Sequence, residues 1–327
     1  MVALEQALKA RFYGMDKTVE CMMLASLTAE PMVMIGPPGT AKSRLTRTFC
    51  DLLGLIGGEE ADEGGQGARR DERYFEYLLT QFTEPSELFG YFDLAKLFDP
   101  VHREFVRDSS GMIQKAEVVF LDEVFNASSA ILNALLTFMN ERKFHDRGTV
   151  IDVPMKLLFA ASNHPPREEG LGAVYDRFLL RSRVCNVSAD AETLGDMMAV
   201  AWQATHAMLE ETDTDFTDLL GRLDTYRLDV DRLTENGALR VEETDPLFHR
   251  LADLVTELRR RDLSEMSNRR LAKFAGVMVA NALLRSAREA AEEARIGAAD
   301  LKVILDYGLD AEDDSTVRKL TDHLMGT

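Results

Sequence analysis

Apolar residues in the first half of the chain come in unbroken runs rather than alternating ones. Met32-Val33-Met34-Ile35, Val118-Val119-Phe120-Leu121 and Leu157-Leu158-Phe159-Ala160-Ala161 contain no polar position. Each stops abruptly, at Gly36, at Asp122-Glu123 and at Ser162-Asn163. Such runs predict strands covered on both faces, as in a parallel sheet between helices. Tyr74-Phe75-Glu76-Tyr77-Leu78-Leu79 predicts another strand, and Arg183-Val184-Cys185-Asn186-Val187 a last one. Between them the period changes. Residues 4–29 read as a helix with Val19, Met22, Met23 and Leu27 on one face, stopped by Pro31. Ser43 to about Leu53 reads as a second helix. Ile131, Leu132, Leu135, Leu136 and Met139 predict a third, with Ser128 as its N-cap. Residues 143–153 alternate around Gly148 and predict a hairpin.

From about Ser188 no alternating strand is convincing and helical spacing takes over. Residues 191–210, 246–261 and 268–294 read as helices, the last with Leu271, Phe274, Val277, Met278 and Leu283 in its apolar body. Thr212 to Thr244 is acidic with weak periodicity and reads as linker and short helices. Gly57 to Gly67, with four acidic residues and five glycines, has little to bury and predicts a surface insertion. The pattern therefore divides the chain into an α/β domain, residues 1–187, and an all-helical region, residues 188–327.

Composition narrows the classes. The formal net charge of −18 opposes binding to nucleic acid through phosphate neutralisation. No apolar run is long enough for a membrane-spanning helix. Met1-Val2-Ala3-Leu4-Glu5-Gln6 lacks the basic-then-apolar order of a signal peptide. Cys21, Cys50 and Cys185 are odd in number and far apart, which predicts reduced thiols and a cytoplasmic protein.

The chemistry lies where the apolar runs end. Gly36-Pro37-Pro38-Gly39-Thr40-Ala41-Lys42-Ser43 follows a strand and opens a helix, which is the layout of a phosphate-binding loop. In that layout backbone N–H groups wrap the phosphates, Lys42 reaches their outer oxygens and Ser43 holds Mg²⁺. Ala41 stands where the general pattern has glycine. Asp122, closing a buried strand, is suited to holding the same Mg²⁺. Glu123 beside it can accept a proton from an attacking water, which hydrolysis needs and binding alone does not.

These motifs, with Phe159-Ala160-Ala161-Ser162-Asn163-His164 and Asp176-Arg177-Phe178, resemble those of the AAA+ ATPases, and within them the MoxR family, close to its RavA-type branch. Further likeness lies in Phe12-Tyr13-Gly14, in the stretch from Leu79 to Gly90, in Asn140-Glu141-Arg142 and in Ser267-Asn268-Arg269-Arg270. The MoxR-type loop tends to carry alanine before its lysine, as Ala41 does in this chain. The resemblance implies a P-loop parallel sheet followed by a helical lid, with a helix-2 insert at about 90–112. It implies ATP and Mg²⁺ as cofactors and Asn163 as the residue that steadies the attacking water. It makes Arg177 the finger offered to a neighbouring subunit's nucleotide, with Arg181 as second candidate. In the lid it makes Arg269, or else Arg270, the sensor of the γ-phosphate.

A finger acting on a neighbour requires a homo-oligomer, and the resemblance implies a ring, with a hexamer as the expected form. The family implies an ATP hydrolase that remodels or matures a partner protein in a chaperone-like way, commonly beside a von Willebrand factor A (vWA) domain protein. Two other readings stay open from the residues: a nucleic-acid-associated motor, which the charge opposes, and a nucleotide-dependent switch with little turnover.

Overall fold

The computed structural model describes residues 1–56, 72–98, 105–146, 149–166, 169–206, 214–236, 246–291, 293–311 and 314–325. The glycine-rich insertion at 57–67 lies outside these described residues. In chain order the structure runs α1 (Val2–Lys9), α2 (Asp16–Thr28), β1 (Met32–Ile35), α3 (Lys42–Leu52), β2 (Tyr74–Leu78), α4 (Pro85–Phe89), α5 (Leu94–Leu97) and β3 (Val118–Asp122). It continues with α6 (Ser129–Glu141), β4 (Lys143–Asp146), β5 (Thr149–Asp152), β6 (Leu157–Ser162), α7 (Gly172–Tyr175) and β7 (Leu180–Arg183). The helices α8 (Ala191–Thr205), α9 (Leu219–Glu235), α10 (Leu247–Arg260), α11 (Asn268–Glu289), α12 (Ala298–Tyr307) and α13 (Asp314–Met325) complete it.

Five strands form a parallel sheet in the order β2-β3-β6-β1-β7. The unbroken apolar runs are its three inner strands. Successive side chains on a strand point to opposite faces, and the two faces build two cores. Met32, Met34, Phe120 and Phe159 join one core with α2, α3 and the C-terminal helices. Val33, Ile35, Val119, Leu121 and Leu158 join another with Ile131, Leu135 and Phe138 of α6. The α/β fold with a sheet between helices and a helical C-terminal region is thus the observed one. The hairpin β4–β5 pairs antiparallel apart from this sheet. No helix among the described residues is long and apolar enough to cross a membrane.

Three expectations need correction. The single helix expected over 4–29 is two, because Gly14 adopts φ +72° and turns the chain while Phe12 and Met15 drop into the core. The last strand is Leu180–Arg183, not 183–187. Arg181 and Ser182 are buried in it, so a strand with charge at its centre was hidden from a search for apolar runs. The acidic stretch 212–244 contains α9, whose buried residues are Leu219, Leu220 and Leu223 at its first turns. A helix held at one end leaves no full-length apolar stripe to read.

Residues before the sheet and residues after it share one core. Tyr307 Oη donates to Lys17 O and to Glu20, each at 3.0 Å. Arg288 of α11 bonds both oxygens of Glu5 and one of Glu20.

Candidate functional site

The phosphate-binding loop leaves β1 at Gly36. A Cβ on Gly36 would lie 1.9 Å from Val184 O just past β7, so the loop starts where no side chain fits. Gly39 (φ +83°) and Ala41 (φ +61°) are both left-handed, a backbone form that lets successive N–H groups converge on an anion. The left-handed region costs a non-glycine residue about 1–2 kcal/mol, which is why glycine suits position 41. Ala41 takes that conformation nonetheless, and α3 begins at Lys42 with the positive end of its dipole toward the loop.

Lys42 is buried, and its ammonium donates to Gly36 O (2.6 Å), Pro37 O (2.9 Å) and Asn163 Oδ1 (3.2 Å). Burial pushes its pKa down, with Glu123 and Asp122 working against that shift. Ser43 Oγ donates to Asp122 Oδ2 at 2.6 Å. The other oxygen of Asp122 accepts from the Glu123 N–H at 3.0 Å. Glu123 itself is left-handed, φ +53°. Its Oε1 accepts from Asn163 Nδ2 and its Oε2 from Asn126 Nδ2, the latter at 3.1 Å. Lys42, Ser43, Asp122, Glu123 and Asn163 thus meet at the carboxyl ends of neighbouring strands β3, β6 and β1, the edge at which open α/β sheets bind ligands.

A cavity of about 600 Å³ opens beside Glu123 and Asn163, also lined by Gln81, Phe125, Ser128 and His164. It gives the carboxylate access to solvent. Ser43 and Asp122 offer two hard oxygens at one point, a donor set that fits Mg²⁺.

Asn126 was missed by sequence reasoning. Its N–H closes a tight turn on Glu123 O at 2.9 Å, and its side chain holds the Glu123 carboxylate. An asparagine three residues after a carboxylate was the available signal. Arg142 was quoted only as part of a motif. It takes the left-handed cap of α6 and donates to Met155 O (2.6 Å) and Ala29 O (2.8 Å), tying the end of α6 to the approach of β6 and to α2.

The arginines form a second cluster, at the junction of β7 with α11. Asp176 accepts Arg269 Nη2 at its carboxylate (2.8 Å) and backbone carbonyl (2.9 Å), and Arg177 Nη1 lies 3.6 Å from the same carboxylate. Arg181 and Arg270 are 3% and 2% exposed and share Asp310. Arg181 also donates to Tyr175 O (2.8 Å) and lies over the Tyr175 ring, while Arg270 donates to Gly308 O (2.7 Å). Burial, then neighbouring Arg270, pushes the Arg181 pKa down to about 9. Arg181 and Arg270, the second candidates for finger and lid sensor, are thus both enclosed within their own chain, whereas Arg177 and Arg269 stand together on the partly exposed Asp176.

The family model for the MoxR domain in the MoxR-vWA-beta-propeller ternary systems matches residues 1–62 and 65–224. Proteins MJ0812 and MJ0079 of Methanocaldococcus jannaschii are each 38% identical over 181 residues, 55% of this chain and 43% of theirs. Chaperone MoxR1 of Mycobacterium tuberculosis is 26% identical over 186 residues, 55% of this chain and 42% of its own. The matched region thus spans less than half the length of these relatives. A crystal structure of a candidate ATPase from Cytophaga hutchinsonii superposes over 99% of this chain and 92% of its own, with a TM-score of 0.61 at 14% identity, a likeness of fold.

Proposed function

The chain belongs to the MoxR family of AAA+ ATPases, and from that premise we propose that it hydrolyses Mg-ATP in a ring of identical subunits to remodel or mature a partner protein. The observation that carries this reading is the convergence of Lys42, Ser43, Asp122, Glu123 and Asn163 at one sheet edge. Gly36 to Ser43 wrap the phosphates, and Lys42 exchanges its bonds to Gly36 O and Pro37 O for phosphate oxygens. Ser43 and Asp122 would hold Mg²⁺, which neutralises charge on the phosphates when bound. Glu123 takes a proton from water entering through the adjoining cavity, and Asn163 holds the carboxylate in place. General-base assistance of this kind is worth about 10²–10⁴ in rate.

Arg177, held beside Asp176, is the finger for the next subunit in the ring, and Arg269 of the lid senses the γ-phosphate. The vWA protein named in the family's ternary systems is the proposed partner. The name of the mycobacterial relative supports the chaperone-like use of the energy. Residues 1–187 form the nucleotide-binding domain in this proposal, with its insert at 90–112, and 188–327 the lid. Placement near the RavA-type branch rests on the sequence motifs alone. The cytoplasm is the compartment that keeps Cys21, Cys50 and Cys185 reduced.

Glu123→Gln tests the reading. Binding of a fluorescent ATP analogue should stay within about threefold of wild type while turnover falls by about 10²–10⁴. Turnover near wild type would remove Glu123 as the base, and the hydrolytic mechanism with it.

A further inference from the structure

The helix that follows the sheet is apolar and yet buries none of its side chains. Thr193, Met197, Val200 and Ala204 of α8 are half-buried. On another face Leu194, Met198 and Trp202 follow one another at i, i+4 and i+8, and they are 37%, 66% and 62% exposed. Spacing by four puts them in one stripe about 12 Å long, at 1.5 Å per residue. Surface helices turn such stripes inward, and an apolar patch left outside marks a surface of interaction. Trp202 is the chain's one tryptophan, and its ring stacks on His206 at 3.9 Å. Exposed tryptophan and methionine are residue types enriched at protein–protein contacts.

Charge indicates what covers the stripe. From Asp190 to Asp218 the sequence holds eight acidic residues and neither lysine nor arginine. That rules against nucleic acid and against an anionic membrane, since both attract basic helices. A second copy of this chain would have to bring basic residues to this acidic helix. Its arginine run is already engaged: Arg260 and Arg261 bond Glu257, and Arg259 donates to Glu265 O and Met266 O. The fitting occupant is a protein with an apolar groove rimmed by lysine and arginine. Helix-in-groove recognition uses side chains at this spacing as its anchors.

We propose that α8 is the docking helix for the vWA partner, with Leu194, Met198 and Trp202 as anchors and Glu192 and Asp196 selecting a basic groove. This rests on the partner reading above.

The single tryptophan supplies the test. The full chain is labelled with 5-fluorotryptophan, so that its one ¹⁹F resonance reports Trp202 alone, and titrated with the purified vWA-domain protein of the same ternary system. The resonance should move and lose most of its H₂O/D₂O shift as the indole leaves water. Leu194→Asp and Met198→Asp should each weaken binding by about tenfold or more. Glu192→Lys with Asp196→Lys should weaken it and flatten its salt dependence. ATP turnover without the partner should stay within about twofold of wild type, because these residues lie outside the catalytic set. Binding with an unmoved resonance and undiminished affinity in Met198→Asp overturns the docking helix while leaving the partner reading intact. No binding by wild type overturns both. A resonance that moves on ring assembly alone, or only with the β-propeller protein, assigns the stripe to a different occupant and overturns the proposal.

Discussion

Two charged clusters in this fold are balanced in opposite ways. At the nucleotide end one cation, Lys42, meets two carboxylates, Asp122 and Glu123, and the polar atoms around them bond one another. At the β7–α11 junction, among the described residues, Arg177, Arg181, Arg269 and Arg270 pair with Asp176 and Asp310. Burial pushes Arg177, Arg181 and Arg270 all below the usual arginine range, and a neighbouring arginine adds to the shift in each. The first cluster is held ready by internal pairs that a nucleotide must replace. The second carries surplus positive charge that an incoming anion would relieve. One cluster is thus balanced within the chain and the other is not.

The strongest way to break this comparison is Arg177→Ala. Turnover should drop by about 10³–10⁵ with nucleotide affinity nearly unchanged, since a finger acts in the transition state. Mixing this variant with Glu123→Gln should restore activity above the sum of the two, read as phosphate release under conditions where subunits exchange. No restoration would mean that the arginine acts within its own chain. Next in size is Asp310→Asn, which strips the shared carboxylate from two enclosed arginines. Removing one partner of a buried pair costs about 3–5 kcal/mol. The lower end is expected because Asp310 is itself 32% exposed, and denaturant unfolding measures it. Gly36→Ala probes the other cluster. Its methyl would overlap the Val184 carbonyl, so a loss of about 1–3 kcal/mol and weaker ATP binding are expected. The smallest effect belongs to Ala41→Gly, which relieves the left-handed turn. A gain under about 1 kcal/mol should appear as a raised Tm, with ATP affinity within about twofold. A lowered Tm would show that packing of the Ala41 methyl outweighs the strain.

The same contrast explains what could be read beforehand. The nucleotide cluster is written in local runs: Lys42 and Ser43 follow a strand directly, Asp122 and Glu123 end another, and Asn163 ends a third. The parallel sheet then aligns those ends, so local pattern and tertiary position coincide. The arginine cluster has no such local script. Arg181 and Arg270 look as available as Arg177 and Arg269 until Asp310, more than a hundred residues from β7, is folded between them. An asparagine in a turn has an ordinary explanation, so Asn126 does not announce its contact with Glu123. The position of β7 was missed for a related reason, since a strand whose middle is Arg181 and Ser182 carries no apolar signature. At α9, three buried leucines at one end were too few to set a period.

The shared core of the N-terminal and C-terminal helices bears on how the chain is made. α2 is apolar on nearly every side, and its covering partners, Arg288 and Tyr307, lie more than 260 residues downstream. Synthesis at about 5–20 residues per second leaves a helix of this kind waiting for roughly 13–50 s before its cover emerges. The sheet can assemble strand by strand during that time, but the outer side of α2 stays open until the last helices arrive. A ribosome stalled anywhere between residues 190 and 300 would therefore hold out a long-lived sticky surface. The nascent chain of this proposed remodelling machine should itself be a client of chaperones until its final helices close over its first.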